Sequence, residues 1–346
     1  MMIRHYRIKV HPVNLHFKKP ASTSRGTYTE RKSWFLVLSS KDDPDRFGIG
    51  ECAPLPNLSC DDVPEYEEVL TKACQNFVNT GRIDTEGLRD YPSILFGLET
   101  ALLGFEANSL VLWDTPFSRG EAGIPINGLI WMGSYKEMLE QISDKIQSGF
   151  RCLKLKIGAI DFEDELDILR IIREQFSVHD IELRVDANGA FSPADAMLKL
   201  NRLAELNLHS IEQPIRAGQW EEMALLAANS PIPIALDEEL IGHNTPEEKK
   251  KLLSTIQPQY IVLKPSLHGG FYGCHEWIKE AEEQQIGWWI TSALESNIGL
   301  NGIAQWCATL NNPLPQGLGT GSLFTNNFES PLEMREDRLW FNPYTK

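Results

Sequence analysis

Five short apolar segments, each ending on a charged residue, limit what this chain can fold into. Arg184-Val185-Asp186-Ala187-Asn188 closes a run in which Ile181, Leu183 and Val185 alternate with charged residues, and it stops on an acid just ahead of Gly189. Cys152–Lys156 ends on lysine, Ser210-Ile211-Glu212 and Ile234-Ala235-Leu236-Asp237 end on acids, and Tyr260-Ile261-Val262-Leu263-Lys264 ends on lysine again. Successive endpoints lie roughly 25 to 30 residues apart, about the length of one strand–helix–strand unit. That spacing puts Lys156, Asp186, Glu212, Asp237 and Lys264 at the same end of consecutive parallel strands.

The rest of the chain keeps the beat. Helical stretches at 135–148, 161–176, 193–206, 220–228, 245–255, 273–284 and 299–310 alternate with those strands and with further strands at 124–130, 287–291 and 317–320. Eight strands and seven helices predict a closed α/β architecture, a modified TIM barrel of the (β/α)7β kind, over residues 119–320. A doubly wound open sheet is the runner-up, weakened because no GxGxxG or P-loop follows a strand. Residues 1–118 read as an α+β capping domain. Strands are expected at 4–16, 32–39 and 47–52, a polar loop at 22–27, and helices at 61–78 and 93–105, the second with Ser93 as its N-cap. The tail, 321–346, supplies no eighth helix; its Arg338-Leu339-Trp340-Phe341 reads as a strand that returns to the capping domain.

Composition narrows the function classes. A net charge of −15 with no basic patch argues against nucleic acid or an anionic membrane as partner. Residues 1–20 have no apolar core or small-residue cleavage site, and no apolar run nears the roughly 18 residues of a membrane span. A cytoplasmic protein is the expectation. The six cysteines form no CxxC pair, which suits reduced thiols, and the eight histidines form no HExxH, which makes zinc an unpromising cofactor.

The charges at the strand ends suggest the chemistry. Three neighbouring carboxylates would repel one another and hold protons unless a cation sat between them. Hard oxygen donors on fixed strands suit Mg²⁺, with Mn²⁺ as the alternative. Lys154 and Lys156 stand two residues apart on one strand and point the same way. Two inward lysines are costly unless they line a polar site. With Lys264 on the far side, they would flank the acids.

As a set, Lys154-Leu155-Lys156, Val185-Asp186-Ala187-Asn188, Glu212-Gln213-Pro214, Asp237-Glu238 and Leu263-Lys264-Pro265-Ser266 resemble the enolase superfamily, muconate-lactonising-enzyme subgroup. The resemblance spans nearly the whole chain. It implies Asp186, Glu212 and Asp237 as metal ligands, Lys156 as catalytic lysine supported by Lys154, and Lys264 as the lysine on the opposite face. Asn188 and Glu238 are expected behind the ligands, and Arg184, Ser292, Gly319 and Thr320 on a small carboxylate substrate. Four further segments are similar to the o-succinylbenzoate synthase family, the dehydratases of menaquinone synthesis: Gly50–Pro56, Pro92–Leu103, Ile126–Trp131 and Ser292–Ser296. In that family Lys156 would take the proton α to the carboxylate and return it to the departing hydroxide. N-acylamino-acid racemases and dipeptide epimerases of the same superfamily are the alternative. They usually carry an Asp-x-Asp after the eighth strand, where this chain reads Gly319-Thr320-Gly321. The loops 22–27 and 53–55 are expected to close over the substrate.

Overall fold

The barrel grows out of alternation along each short strand. In Cys152–Lys156 the side chains of Leu153 and Leu155 point outward under the helices and are fully buried, while Lys154 and Lys156 point inward. Each buried Leu or Ile contributes about 1.5–3 kcal/mol, so a slip of one residue would exchange that layer for lysines. The computed structural model describes residues 5–23 and 26–344.

The capping unit opens with β1 (Tyr6–Thr23), β2 (Gly26–Ser40) and β3 (Phe47–Cys52), an antiparallel meander. It is followed by α1 (Tyr66–Thr80) and α2 (Pro92–Ala107). Two expectations need correction here. The segment 22–27 is no open loop: Ser22 pairs with Thr27 and Thr23 with Gly26, so the hairpin continues to its tip, and Ser24 and Arg25 lie outside the described residues. Ser93 does not cap its own helix. It lies inside α2, and its N–H and hydroxyl both donate to Asp61 Oδ2, at 2.9 and 2.6 Å. A remote carboxylate thus caps this helix, and burial pushes Asp61 up to about 6.

The barrel follows in the order β4 (Ile124–Pro125), β5 (Gly128–Ile130), α3 (Tyr135–Gln147), β6 (Cys152–Lys156), α4 (Phe162–Gln175), β7 (Glu182–Asp186), α5 (Pro193–Ala204), β8 (Ser210–Glu212), α6 (Trp220–Asn229), β9 (Ile234–Leu236), α7 (Pro246–Ile256), β10 (Tyr260–Leu263), α8 (Gly270–Glu283), β11 (Gly287–Ile290) and α9 (Asn297–Leu310). Strands β5 to β11 form one parallel sheet in sequence order. The eighth stave is shorter than expected. Gln316 bridges to Ile126 and Gly317 to Thr291, which joins the two edges of the sheet and closes the ring.

The tail also departs from expectation. β12 (Leu332–Arg335) and β13 (Arg338–Phe341) form a hairpin that pairs with β4 at the foot of the barrel, not with the capping sheet. The single strand expected at 124–130 is therefore split, its first two residues serving this hairpin. Contact between tail and cap comes earlier, where Phe17 bridges Phe324 and Lys18 N–H donates to Leu323 O at 2.8 Å.

Two carboxylates from the cap dock it onto barrel helices. Glu51 accepts from Ser296 N–H, from Ser296 Oγ at 2.6 Å and from Gly299 N–H at 3.1 Å, at the start of α9. Glu99 accepts from Phe271 N–H at 2.6 Å and Tyr272 N–H at 3.0 Å, in the first turn of α8. Helix N-termini leave such donors open, and their partial positive charge attracts anions. Burial nevertheless pushes Glu99 up to about 8, well above the ordinary range of a glutamate carboxyl. Between that range and that value the folded chain keeps a proton that the unfolded chain has lost, so stability falls as pH rises. One such proton contributes about 1.4 kcal/mol per pH unit. Urea unfolding between pH 5 and 8 should show Glu99→Gln losing about that much of the slope; an unaltered slope would mean Glu99 is ionised throughout.

Candidate active site

The strand ends deliver their charges into one cavity of about 350 Å³. Lys154, Lys156, Asp186, Glu212, Asp237 and Lys264 all line it, and Leu55 of the cap reaches into it from above. Lys154 Nζ lies 2.5 Å from Glu212 Oε2 and 3.1 Å from Asp186 Oδ2. Lys156 Nζ donates to Asp186 Oδ2 at 3.0 Å and to Asn188 Oδ1 at 2.7 Å. On the far side Lys264 Nζ donates to Asp237 Oδ2.

The turns that aim these groups follow from local chemistry. Asn188, at φ 44°, is one of the few non-glycine residue types at ease in the left-handed region. Its N–H donates to Asp186 Oδ1 at 3.1 Å and its amide to Glu238 Oε1 at 3.0 Å. Gln213 is fully buried; its side-chain Oε1 accepts from the N–H groups of Asp237 and Glu239 at 3.1 and 3.2 Å. It thereby ties the turn after β8 to the turn after β9. Its role is not legible in the sequence, because its two acceptor contacts span 24 and 26 residues.

Electrostatics divides the three acids. Burial works to raise Asp186, but the ammoniums of Lys154 and Lys156 outweigh it and hold it well below the carboxylate range. Asp237 is likewise lowered, burial being overcome by Lys264. Glu212 goes the other way: burial, reinforced by the charge of Asp186, raises it beyond what Lys154 offsets. Burial would lower Lys154 and Lys264, yet the surrounding carboxylates, Asp186 and Asp237 foremost, raise both.

Glu212 Oε1 and Asp237 Oδ1 are buried without a hydrogen-bond partner among the described residues. Each such oxygen costs on the order of 1–3 kcal/mol or more, and a hard cation would relieve both. The donor set therefore fits a divalent ion. It is not a closed cage as it stands: among the described residues no three His, Cys, Asp or Glu side chains are grouped tightly enough to hold a metal. The lysine ammoniums occupy one oxygen of each carboxylate instead, and the side chains would have to turn toward an ion.

Ser292, Gly319 and Thr320 line the same cavity, with Thr320 Oγ1 2.9 Å from Ser292 Oγ. Arg184 does not, and its expected contact with substrate is corrected. It points inward but two residues below Asp186, about 6.6 Å deeper along the strand. There it donates to Glu182 Oε1 at 2.7 Å and Pro315 O at 3.0 Å, and its guanidinium stacks 4.5 Å from the Trp289 ring. With Ala235, Val262 and Trp289 it plugs the barrel beneath the site. Residues that sequence reasoning missed include Glu295. It is fully buried, accepts from Ser292 Oγ and Ala293 N–H at 2.7 and 2.8 Å, and shapes the loop after β11.

Comparison with known proteins agrees with this geometry. Residues 137–342 match the family described as Enolase C-terminal domain-like, and residues 9–105 match the MenC N-terminal domain. An o-succinylbenzoate synthase from Desulfotalea psychrophila is 47% identical, covering 92% of this chain and 94% of the relative. The crystal structure of MenC from the same organism superimposes with a TM-score of 0.82 at 42% identity, covering 97% of this chain and 99% of that one. A dipeptide epimerase from Enterococcus faecalis, complexed with Mg and L-Leu-L-Tyr, shares the fold at a TM-score of 0.82 and 19% identity over 98% and 97% of the two chains. No described helix is long and apolar enough to cross a membrane. The chain belongs to the o-succinylbenzoate synthase family of lyases, within the enolase superfamily.

Proposed function

We propose that this cavity dehydrates 2-succinyl-6-hydroxy-2,4-cyclohexadiene-1-carboxylate to o-succinylbenzoate in menaquinone synthesis, with Lys156 as the base and Mg²⁺ on Asp186, Glu212 and Asp237. The observation that carries this reading is the placement of Lys156 and Lys264 in one cavity, each bound to a different one of the acids. A divalent cation, when bound, supplies the positive charge that makes a proton α to a carboxylate removable. Lys156 Nζ, held by Asp186 and Asn188, takes that proton as the free amine. The electron pair left on carbon moves into the carboxylate, where the ammonium of Lys264 faces the growing charge. As the pair returns, the hydroxyl leaves on the same face and Lys156 hands its proton to it, releasing water and an aromatic ring. Lys154, bound to Glu212 and Asp186, shares Asp186 with Lys156 and offsets the charge of the acids beside it.

The rim after the eighth stave, Gly319-Thr320-Gly321, offers no acid to hold an ammonium group, which weighs against an amino-acid substrate. The test is dehydration of the cyclohexadiene precursor with and without Mg²⁺, alongside α-proton exchange of an N-succinylamino acid in D₂O. Metal-dependent aromatisation is expected. Rapid exchange without any dehydration would place the chain among the racemases instead.

A further inference from the structure

Arg31 is among the largest fully buried side chains, at 1% exposure, and it sits on β2 of the cap. Burying a guanidinium is expensive unless it is paired and hydrogen-bonded. Its two terminal nitrogens donate to backbone carbonyls of separate units. Nη2 reaches Ala53 O in the cap loop, and Nη1 reaches Ala293 O in the barrel loop after β11. The Glu51 carboxylate, buried in the same layer, lies within the guanidinium's field. Both loops wall the cavity, the first through Leu55 and the second through Ser292, Ala293 and Leu294.

The barrel loop is strained where Arg31 holds it. Leu294 lies at φ 65°, a conformation that is costly for a residue with a Cβ and persists only where its surroundings over-determine it. Three bonds do so: Ala293 O to Arg31, Ala293 N–H to Glu295 and Leu294 N–H to Ser292 Oγ. Leu294 then packs with Leu55 in one apolar cluster backed by Phe35 and Tyr28 of the hairpin. Tyr28 hydroxyl donates to Pro56 O at 2.7 Å, so that this hydrogen bond grips the cap loop alone.

We propose that Arg31 is a positioning residue that latches the cap loop to the loop after β11, so that Leu55 and Leu294 form a single wall against the substrate's apolar face. The proposal rests on the dehydratase reading for its kinetic arm, and it stands apart from that reading in its second arm. In the kinetic arm, Arg31→Met should raise KM for the cyclohexadiene about ten-fold while kcat falls far less, since the lysines and acids stay in place; the scale is that of one lost charge-assisted hydrogen bond. Tyr28→Phe, which frees only the cap side, should change KM much less. In the second arm, hydrogen exchange on Arg31→Lys, which can reach one carbonyl but not both, should show residues 53–59 and 292–296 losing protection together. Should Arg31→Met fail to fold, this exchange measurement decides alone. An unchanged KM in folded Arg31→Met, or exchange that rises in one loop only, overturns the latch. Absence of any turnover in the wild type would instead sink the functional reading and leave the exchange result standing.

Discussion

Lys156→Ala should lower kcat for dehydration by at least about 10²–10⁴-fold, the range for losing a general base. Here the same group also returns the proton to the leaving hydroxide, so both halves of the reaction suffer. The fold should survive, because Lys156 is only partly buried and its partners Asp186 and Asn188 keep other bonds, to Lys154, to Glu238 and to each other. Solvent-exchange NMR gives a sharper check than turnover. A variant without the base should not exchange the α-proton of a bound substrate analogue in D₂O, even when binding is intact. Turnover within ten-fold of wild type would move the base elsewhere, with Lys264 the next candidate.

Adding Mg²⁺ to metal-free protein should stabilise it, and Glu212→Gln should abolish that response. A ligand at a hundred times its Kd stabilises the folded state by about 2.7 kcal/mol, readily seen as a shift in Tm. Glutamine keeps the shape of Glu212 but removes an anionic oxygen that has no partner now. Losing the charge also breaks the buried ion pair with Lys154, so the metal-free Tm should fall as well. The metal response is therefore read as the shift from each protein's own metal-free Tm. Chelation of the wild type should stop dehydration, and Mg²⁺ should restore it. A wild-type Tm indifferent to divalent cations would leave the two orphaned oxygens unexplained and the ligand assignment unsupported.

Period and polarity made the strand ends readable. Asp186, Glu212, Asp237 and Lys264 each close an apolar strand, and one helix separates each pair, so shared direction follows from parallel winding. Helix bounds were equally local: Asp161, Ser192 and Thr245 cap α4, α5 and α7 through their own side chains. Arg184 was misread because alternation gives a side chain's face but not the way a long side chain leans. Its register partner Lys154 reaches up to Asp186 and Glu212, whereas Arg184 turns down to Glu182 and Pro315. The N-cap of α2 was misread because Asp61, 32 residues earlier, out-competes the local serine.

What the sequence determined by itself was the barrel, its direction of winding and the six charged groups at its rim, because each rests on repeats within about 30 residues. Tertiary structure alone decided how the site is roofed. Glu51 meets Ser296 across 245 residues and Arg31 meets Ala293 across 262. Such pairs carry no spacing signal, since a buried ion's partner is set by which surfaces meet and not by distance along the chain.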